Sequence, residues 1–147
     1  MLITTAKSAS LLGNIVGKSA NVQIGSNENC WLGLFTTKPG SDGTGGVEVS
    51  STGTNYSRVE IHSLMTASGR SAVNSADINF NAAINPSDPD AQTGADWGTI
   101  TAFGLFTSRT GSTLYAWGEL DSSVTVSTQN TLHFLAGDFE LFLDESV

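Results

Sequence analysis

One short pattern occurs twice in this chain, and it limits what the chain can fold into. Trp31-Leu32-Gly33-Leu34-Phe35-Thr36-Thr37 is echoed by Ala102-Phe103-Gly104-Leu105-Phe106-Thr107-Ser108, so Gly-Leu-Phe-Thr recurs inside two apolar runs bounded by turn residues. Each run is too short and too rich in glycine and aromatic residues to make a good helix. On a strand, side chains alternate between faces, so Trp31, Gly33 and Phe35 point one way while Leu32 and Leu34 point the other. Both faces are then apolar, the pattern of an inner strand covered on both sides. Trp31, Leu34, Phe35, Phe103, Leu105 and Phe106 are therefore the expected core.

The rest of the chain reads as cover for these two strands. Val47-Glu48-Val49 and Tyr56-Ser57-Arg58-Val59-Glu60-Ile61 alternate as half-exposed strands, with Tyr56, Arg58, Glu60 and His62 on the face expected to be wet. Residues 63–77 are weakly patterned, and Ile78 with Phe80 marks a short strand after them. Leu114 to Leu120 follows the second echo at hairpin distance and should pair with it. Val124 with Val126, Leu132 with Phe134, and Phe139 with Leu141 and Leu143 complete three more strands. Turn signals recurring roughly every ten residues predict an all-β, antiparallel β-sandwich, jelly-roll-like, of about eight strands. One short helix precedes it: Thr4 and Thr5 are plausible caps, Ala9, Leu12, Ile15 and Val16 form an apolar stripe, and Gly17 can end it. The expected organisation is a single domain over 1–147, with a helical segment at 1–18 and the sandwich at 19–147. A chain of 147 residues is long enough to bury roughly 70% of its unfolded surface without metal or disulfide staples.

Two loops stand out. Lys38 to Gly46 holds four glycines and one proline in nine residues, and cannot hold regular structure. It lacks the Gly-Lys-Ser/Thr ending of a phosphate loop, and Glu48 occupies the last glycine position of a dinucleotide fingerprint. The acidic loop 85–96 carries carboxylates, but its spacing matches no EF-hand, and whether it holds Ca²⁺ stays open.

Charge and motif content narrow the function classes. Fourteen acidic against six basic residues give a formal net charge of −8, which repels nucleic-acid phosphates and anionic membranes. No run approaches the ~20 apolar residues of a membrane span. The opening Met1-Leu2-Ile3 has neither a basic segment nor a long apolar core, and the lone Cys30 cannot form an internal disulfide; both predict synthesis in a reducing cytoplasm. His62 and His133 lie in no metal-ligand or triad motif. Glu119 with Asp121, and Asp138 with Glu140, share strand parities, but a spacing of two in an acidic protein is too common to define a glycosidase pair. No catalytic, cofactor-binding or metal-binding residue is assigned, and no cofactor is expected.

In order along the chain, Leu11-Leu12-Gly13, Trp31 to Thr37, Pro39-Gly40-Ser41-Asp42-Gly43-Thr44-Gly45-Gly46, Glu48-Val49, Tyr56-Ser57-Arg58-Val59, Trp97-Gly98-Thr99-Ile100, Phe103-Gly104-Leu105-Phe106, Leu114-Tyr115-Ala116-Trp117-Gly118 and Ala136-Gly137-Asp138 resemble a family of small tail-fibre-like virion proteins of tailed bacteriophages and prophages. The likeness spans nearly the whole chain. It implies a non-enzymatic virion component, made in the host bacterial cytoplasm, that contacts other capsid or tail proteins. A fibre shaft needs repeats or heptads, which are absent, so the expectation is a compact block that assembles with its own copies, a trimer being favoured. The candidate subunit contacts are Leu11, Leu12 and Ile15 on the helix and Pro39 and Asp42 on the glycine-rich loop. Capsid decoration is the first alternative. The second is a host-glycan receptor module, in which Tyr56, Tyr115 and Trp117 would stack on sugar rings.

Overall fold

The computed structural model describes residues 2–3, 30–68, 71–80, 96–111, 113–127 and 132–142. Among these the architecture is nearly all β, in antiparallel sheets. The strands are β1 (Leu2–Ile3), β2 (Trp31–Thr37), β3 (Val47–Glu48), β4 (Val59–Glu60), β5 (Met65–Ser68), β6 (Ser71–Asn74), β7 (Ile78–Asn79), β8 (Gly98–Phe106), β9 (Leu114–Val126), β10 (His133–Phe134) and β11 (Glu140–Phe142), with one 3-10 turn at His62–Leu64. The main sheet runs β1-β9-β8-β2-β3, and β4 also pairs with β2. A second sheet is β11-β6-β5 and a third is the pair β10-β7. The helix expected over residues 6–16 lies outside the described residues.

The two echo strands, β2 and β8, are direct partners in the interior of the main sheet. Their register sets Trp31 opposite Phe106, Leu32 opposite Leu105, Gly33 opposite Gly104, Leu34 opposite Phe103 and Phe35 opposite Ala102. Because the pairing is antiparallel, the two Gly-Leu-Phe units run past each other about a local two-fold centre at the glycine pair. On one face, Leu32, Leu34, Phe103, Leu105 and Ala116 enter the principal core with Ile61, Ile78, Phe80, Trp97, Leu132 and Phe139. The smaller sheets thus cover that face, with the Phe103 and Phe139 rings meeting edge-on at 5.1 Å. Leu32, Leu34, Ile78 and Ile100 are fully buried. Each such side chain contributes roughly 1.5–3 kcal/mol relative to exposure.

The opposite face is closed differently. There Phe35, Ala102, Phe106 and Trp117 form a second buried cluster, with Trp31 and Leu114 partly buried against it. The phenylalanine rings lie nearly parallel, 6.0 Å apart and 18° from coplanar. They fit because the glycines opposite one another leave room. A Cβ on Gly33 would come within 2.7 Å of the Phe106 ring, and one on Gly104 within 2.6 Å of the Phe35 ring. Each echo therefore supplies the phenylalanine that covers the other echo's glycine. The same device recurs on the principal-core face, where a Cβ on Gly118 would lie 2.7 Å from the Phe103 ring.

Three local expectations change. The segments at 114–120 and 124–126 are one continuous 13-residue strand, β9. Its pairing with β8 continues through shifts in register near Ile100/Ala102, so no turn is needed between them. Within the weakly patterned stretch 63–77 lies a hairpin, Met65 opposite Asn74 through Ser68 opposite Ser71. Of the four residues expected on a wet face, His62 is exposed and Glu60 half-buried, but Tyr56 and Arg58 are buried, at 5% and 9% exposure. Their polar ends have partners that lie elsewhere in the chain.

Candidate functional site

Two polar assemblies hold loops against the second face of the main sheet. The first centres on Arg58, which leads into β4. Its Nε donates to Glu48 Oε1 at 2.8 Å and its Nη2 to Glu48 Oε2 at 2.6 Å, a two-pronged ion pair. Its Nη1 donates to the carbonyls of Ser108 and Gly111 at 2.9 and 2.6 Å. The guanidinium carbon sits 3.3 Å from the centroid of the Phe106 ring, a cation–π contact on the ring that covers Gly33. Tyr56 completes the set: its hydroxyl donates to Glu48 Oε1 at 2.8 Å and accepts the Leu34 amide proton at 2.8 Å. The Glu48 carboxylate thus ties β3 to the approach to β4, and Arg58 carries the link on to the loop after β8. Burial, reinforced by the Glu48 charge, pushes the Tyr56 hydroxyl far up, so it stays a donor.

The second assembly is the glycine-rich loop. Pro39 is buried, and Gly46 packs so closely that a Cβ there would lie 2.7 Å from the proline ring. Gly40 N donates to the Thr44 carbonyl at 2.7 Å and Gly43 N to the Gly40 carbonyl at 2.9 Å. Gly43 and Gly45 take φ of 82° and 73°, a region other residues enter only with strain. Asp42 Oδ1 accepts from the Thr44 amide and hydroxyl at 3.0 and 2.9 Å, which lowers the pKa of this exposed carboxylate. Trp117 Nε1 donates to the Gly40 carbonyl at 3.0 Å, pinning the loop to β9. Lys38 Nζ meets Glu119 Oε1 at 2.7 Å on the exposed side.

These placements decide what each sequence-selected residue can do. Leu34, Phe35, Phe103, Leu105 and Phe106 are buried and Trp31 half-buried. Tyr56 and Trp117 are interior, with their polar atoms engaged inside the chain; Tyr115 is half-buried. Asp42 is exposed on the loop tip, whereas Leu11, Leu12, Ile15 and the 85–96 loop fall outside the described residues. Sequence reasoning missed Arg58 and Glu48. The signal available was an arginine and a tyrosine in alternation on a segment that also carries Val59 and Ile61.

Around β9 the structure does bring Glu119, Asp121, Asp138 and Glu140 to one groove of about 420 Å³, floored by Phe103, Phe134 and Phe139. All four acids are in exposed positions and neither histidine lines the groove. Among the described residues, no three of His, Cys, Asp and Glu converge as a metal site. Cys30 is half-buried, and burial with the nearby Glu60 charge pushes its thiol up to about 11, which makes it a poor nucleophile.

Sheets whose faces are filled by aromatic rings, and buried ionic groups that brace loops, define a β-rich structural domain. The chain belongs to the family described as Podophage GP4 fiber I protein gp80, whose model matches residues 3–141. It is accordingly a phage tail-fibre-like protein, a structural component of the virion that associates with other virion components. No curated protein matches it.

Proposed function

We propose that this protein is a compact, non-enzymatic block of a phage fibre, one domain per chain, which assembles with copies of itself on the particle. The observation that carries the reading is where the buried charge goes. Arg58, the most deeply buried cation described, has its donors on Glu48 and two backbone carbonyls, and so holds loops in place instead of facing a substrate. Breaking such a pair leaves an uncompensated buried charge, so the loops it joins are held to the geometry that keeps the pair intact. A part that must dock repeatedly in one orientation needs that property. The fibre family favours a tail position over decoration of the capsid shell.

Antibody-gold labelling of intact virions tests the location, and light scattering of the purified chain tests self-assembly. Gold at the tail and a mass that is a multiple of the chain, a trimer being favoured, are expected. Virions without the protein would end the structural reading, and a monomer at all concentrations would end self-assembly. The glycan reading has less to stand on, because two of its three aromatics, Tyr56 and Trp117, are interior. Among the described residues, the acid-lined groove is the place where carboxylates gather beside an open cavity. No release of reducing ends from host polysaccharide is expected, and release abolished by Asp121→Asn would overturn the non-enzymatic assignment.

A further inference from the structure

Asp42-Gly43 is the one Asp-Gly step in the chain, and no Asn-Gly step occurs. Such steps can rearrange without an enzyme. The glycine amide nitrogen attacks the aspartyl Cγ, its proton and the hydroxyl of the neutral carboxyl group leave as water, and a succinimide ring forms. Water then adds to either carbonyl, giving aspartate back or isoaspartate. Glycine is the favourable successor because it has no side chain to block the approach and its backbone turns freely. Two conditions must hold: the carboxyl must be in its neutral form, since a carboxylate has no good leaving group, and the amide N–H must be free to give up its proton.

In this loop both groups are engaged, although the site is open to water. Asp42 Oδ1 accepts from the Thr44 amide at 3.0 Å, and the Thr44 hydroxyl lies 2.9 Å from each carboxylate oxygen. The attacking nitrogen, Gly43 N, donates to the Gly40 carbonyl at 2.9 Å. We propose that Asp42-Gly43 is a self-modification site held closed by Thr44: the hydroxyl and amide of residue 44 hold the carboxylate in its charged form, engaged with Thr44, while Gly43 N is held by the Gly40 carbonyl. The lowered pKa of Asp42 agrees with this, since it reduces the neutral, reactive fraction. Opening the lock has a structural consequence. Isoaspartate inserts a methylene into the main chain between residues 42 and 43, which breaks the Gly43–Gly40 and Gly40–Thr44 bonds. The Gly40 carbonyl then loses its fixed position against Trp117.

The test is isoaspartate content at residue 42, read by peptide mapping of the purified full chain aged at 37 °C and pH 6.5. The folded wild type is expected to react slowly and the same chain in urea at least fivefold faster. Thr44→Ala, folded, should react about fivefold faster than wild type, the equivalent of one lost hydrogen bond of ordinary net strength, as befits a fully exposed carboxylate. Thr44→Ser, which keeps the hydroxyl, should stay near the wild-type rate. Trp117 fluorescence should change in step with isoaspartate. Equal rates for folded wild type and Thr44→Ala overturn the proposal. If Thr44→Ala does not fold, equal rates for folded and urea-unfolded wild type overturn it instead.

Discussion

Gly104→Ala tests the packing on which this fold depends. The added Cβ would lie 2.6 Å from Phe35 Cε2, 2.7 Å from Leu114 Cδ1 and 3.1 Å from Phe106 Cε2. Real carbons do not approach so closely, so at least two side chains must move. Leu114 is partly exposed and can give, but Phe35 and Phe106 are 5% and 3% exposed and stacked on each other. Moving a ring in a filled cluster costs about 1–3 kcal/mol. Against this, alanine reduces the freedom of the unfolded chain and returns about 0.4–1 kcal/mol. The net expectation is a loss of about 1–2 kcal/mol, or a fall in Tm of roughly 2–8 °C for a chain of this size. Urea denaturation should show a lower midpoint with an unchanged slope, which separates lost stability from a change in the unfolded state. The mechanism makes a further demand. Phe35→Leu shortens the obstructing side chain, so in the Gly104→Ala background it should do less harm than in the wild type, with a coupling of at least 0.5 kcal/mol. Additive effects, or a Gly104→Ala protein as stable as wild type, would refute the claim that these glycines are there to admit the rings.

The remaining expectations concern charge and protonation. Arg58→Met strands the partly buried Glu48 carboxylate and two carbonyls, and should lower stability by about 2–4 kcal/mol in urea melts; Arg58→Lys, which cannot form the two-pronged pair, should rescue only part of this. Lys38→Ala should change stability by less than about 0.5 kcal/mol, since both members of that pair are more than half exposed. Cys30 and Tyr56 both have raised pKa values in the folded chain, so unfolding releases protons at high pH. Stability should hold below pH 9 and fall from about 9 to 11 as Cys30 titrates in the unfolded state, with Tyr56 adding to the fall above its ordinary range near 10. Melts at successive pH values check this, and Cys30→Ala should flatten the 9-to-11 part. Thiol labelling at pH 8 should also be about 100-fold slower in the folded chain than in urea, because a thiol pushed up to about 11 holds that much less thiolate than an ordinary one near 9.

How far the fold could be read in advance depended on whether a signal was local. The β class was legible because a strand's two-faced pattern is written in consecutive residues, as in Leu32, Leu34 and Phe35. The hairpin of β8 with β9 was legible because its turn lies beside both strands. The family likeness was legible for the same reason, as ordered short motifs. The hairpin at 65–74 was not, because its residues carry little hydrophobic contrast and its sheet is completed by β11, over sixty residues away. Tyr56 and Arg58 looked like a wet face because alternation reports polarity, whereas burial depends on whether partners await. Theirs, Glu48 and the carbonyls at 108 and 111, come from other segments.

By itself the amino-acid order determined that this chain would make strands, that two of them would be apolar on both faces, and that the glycine-rich stretch at 38–46 would be a loop. Only the tertiary structure decided that Gly33 stands opposite Gly104, that each phenylalanine covers the other strand's glycine, and that Trp117 holds the Gly40 loop. Local order sets each residue's conformational preference and the face it points to. Register between strands some seventy residues apart, and the pairing of buried donors with acceptors, arise only when the whole chain closes and every candidate partner competes at once.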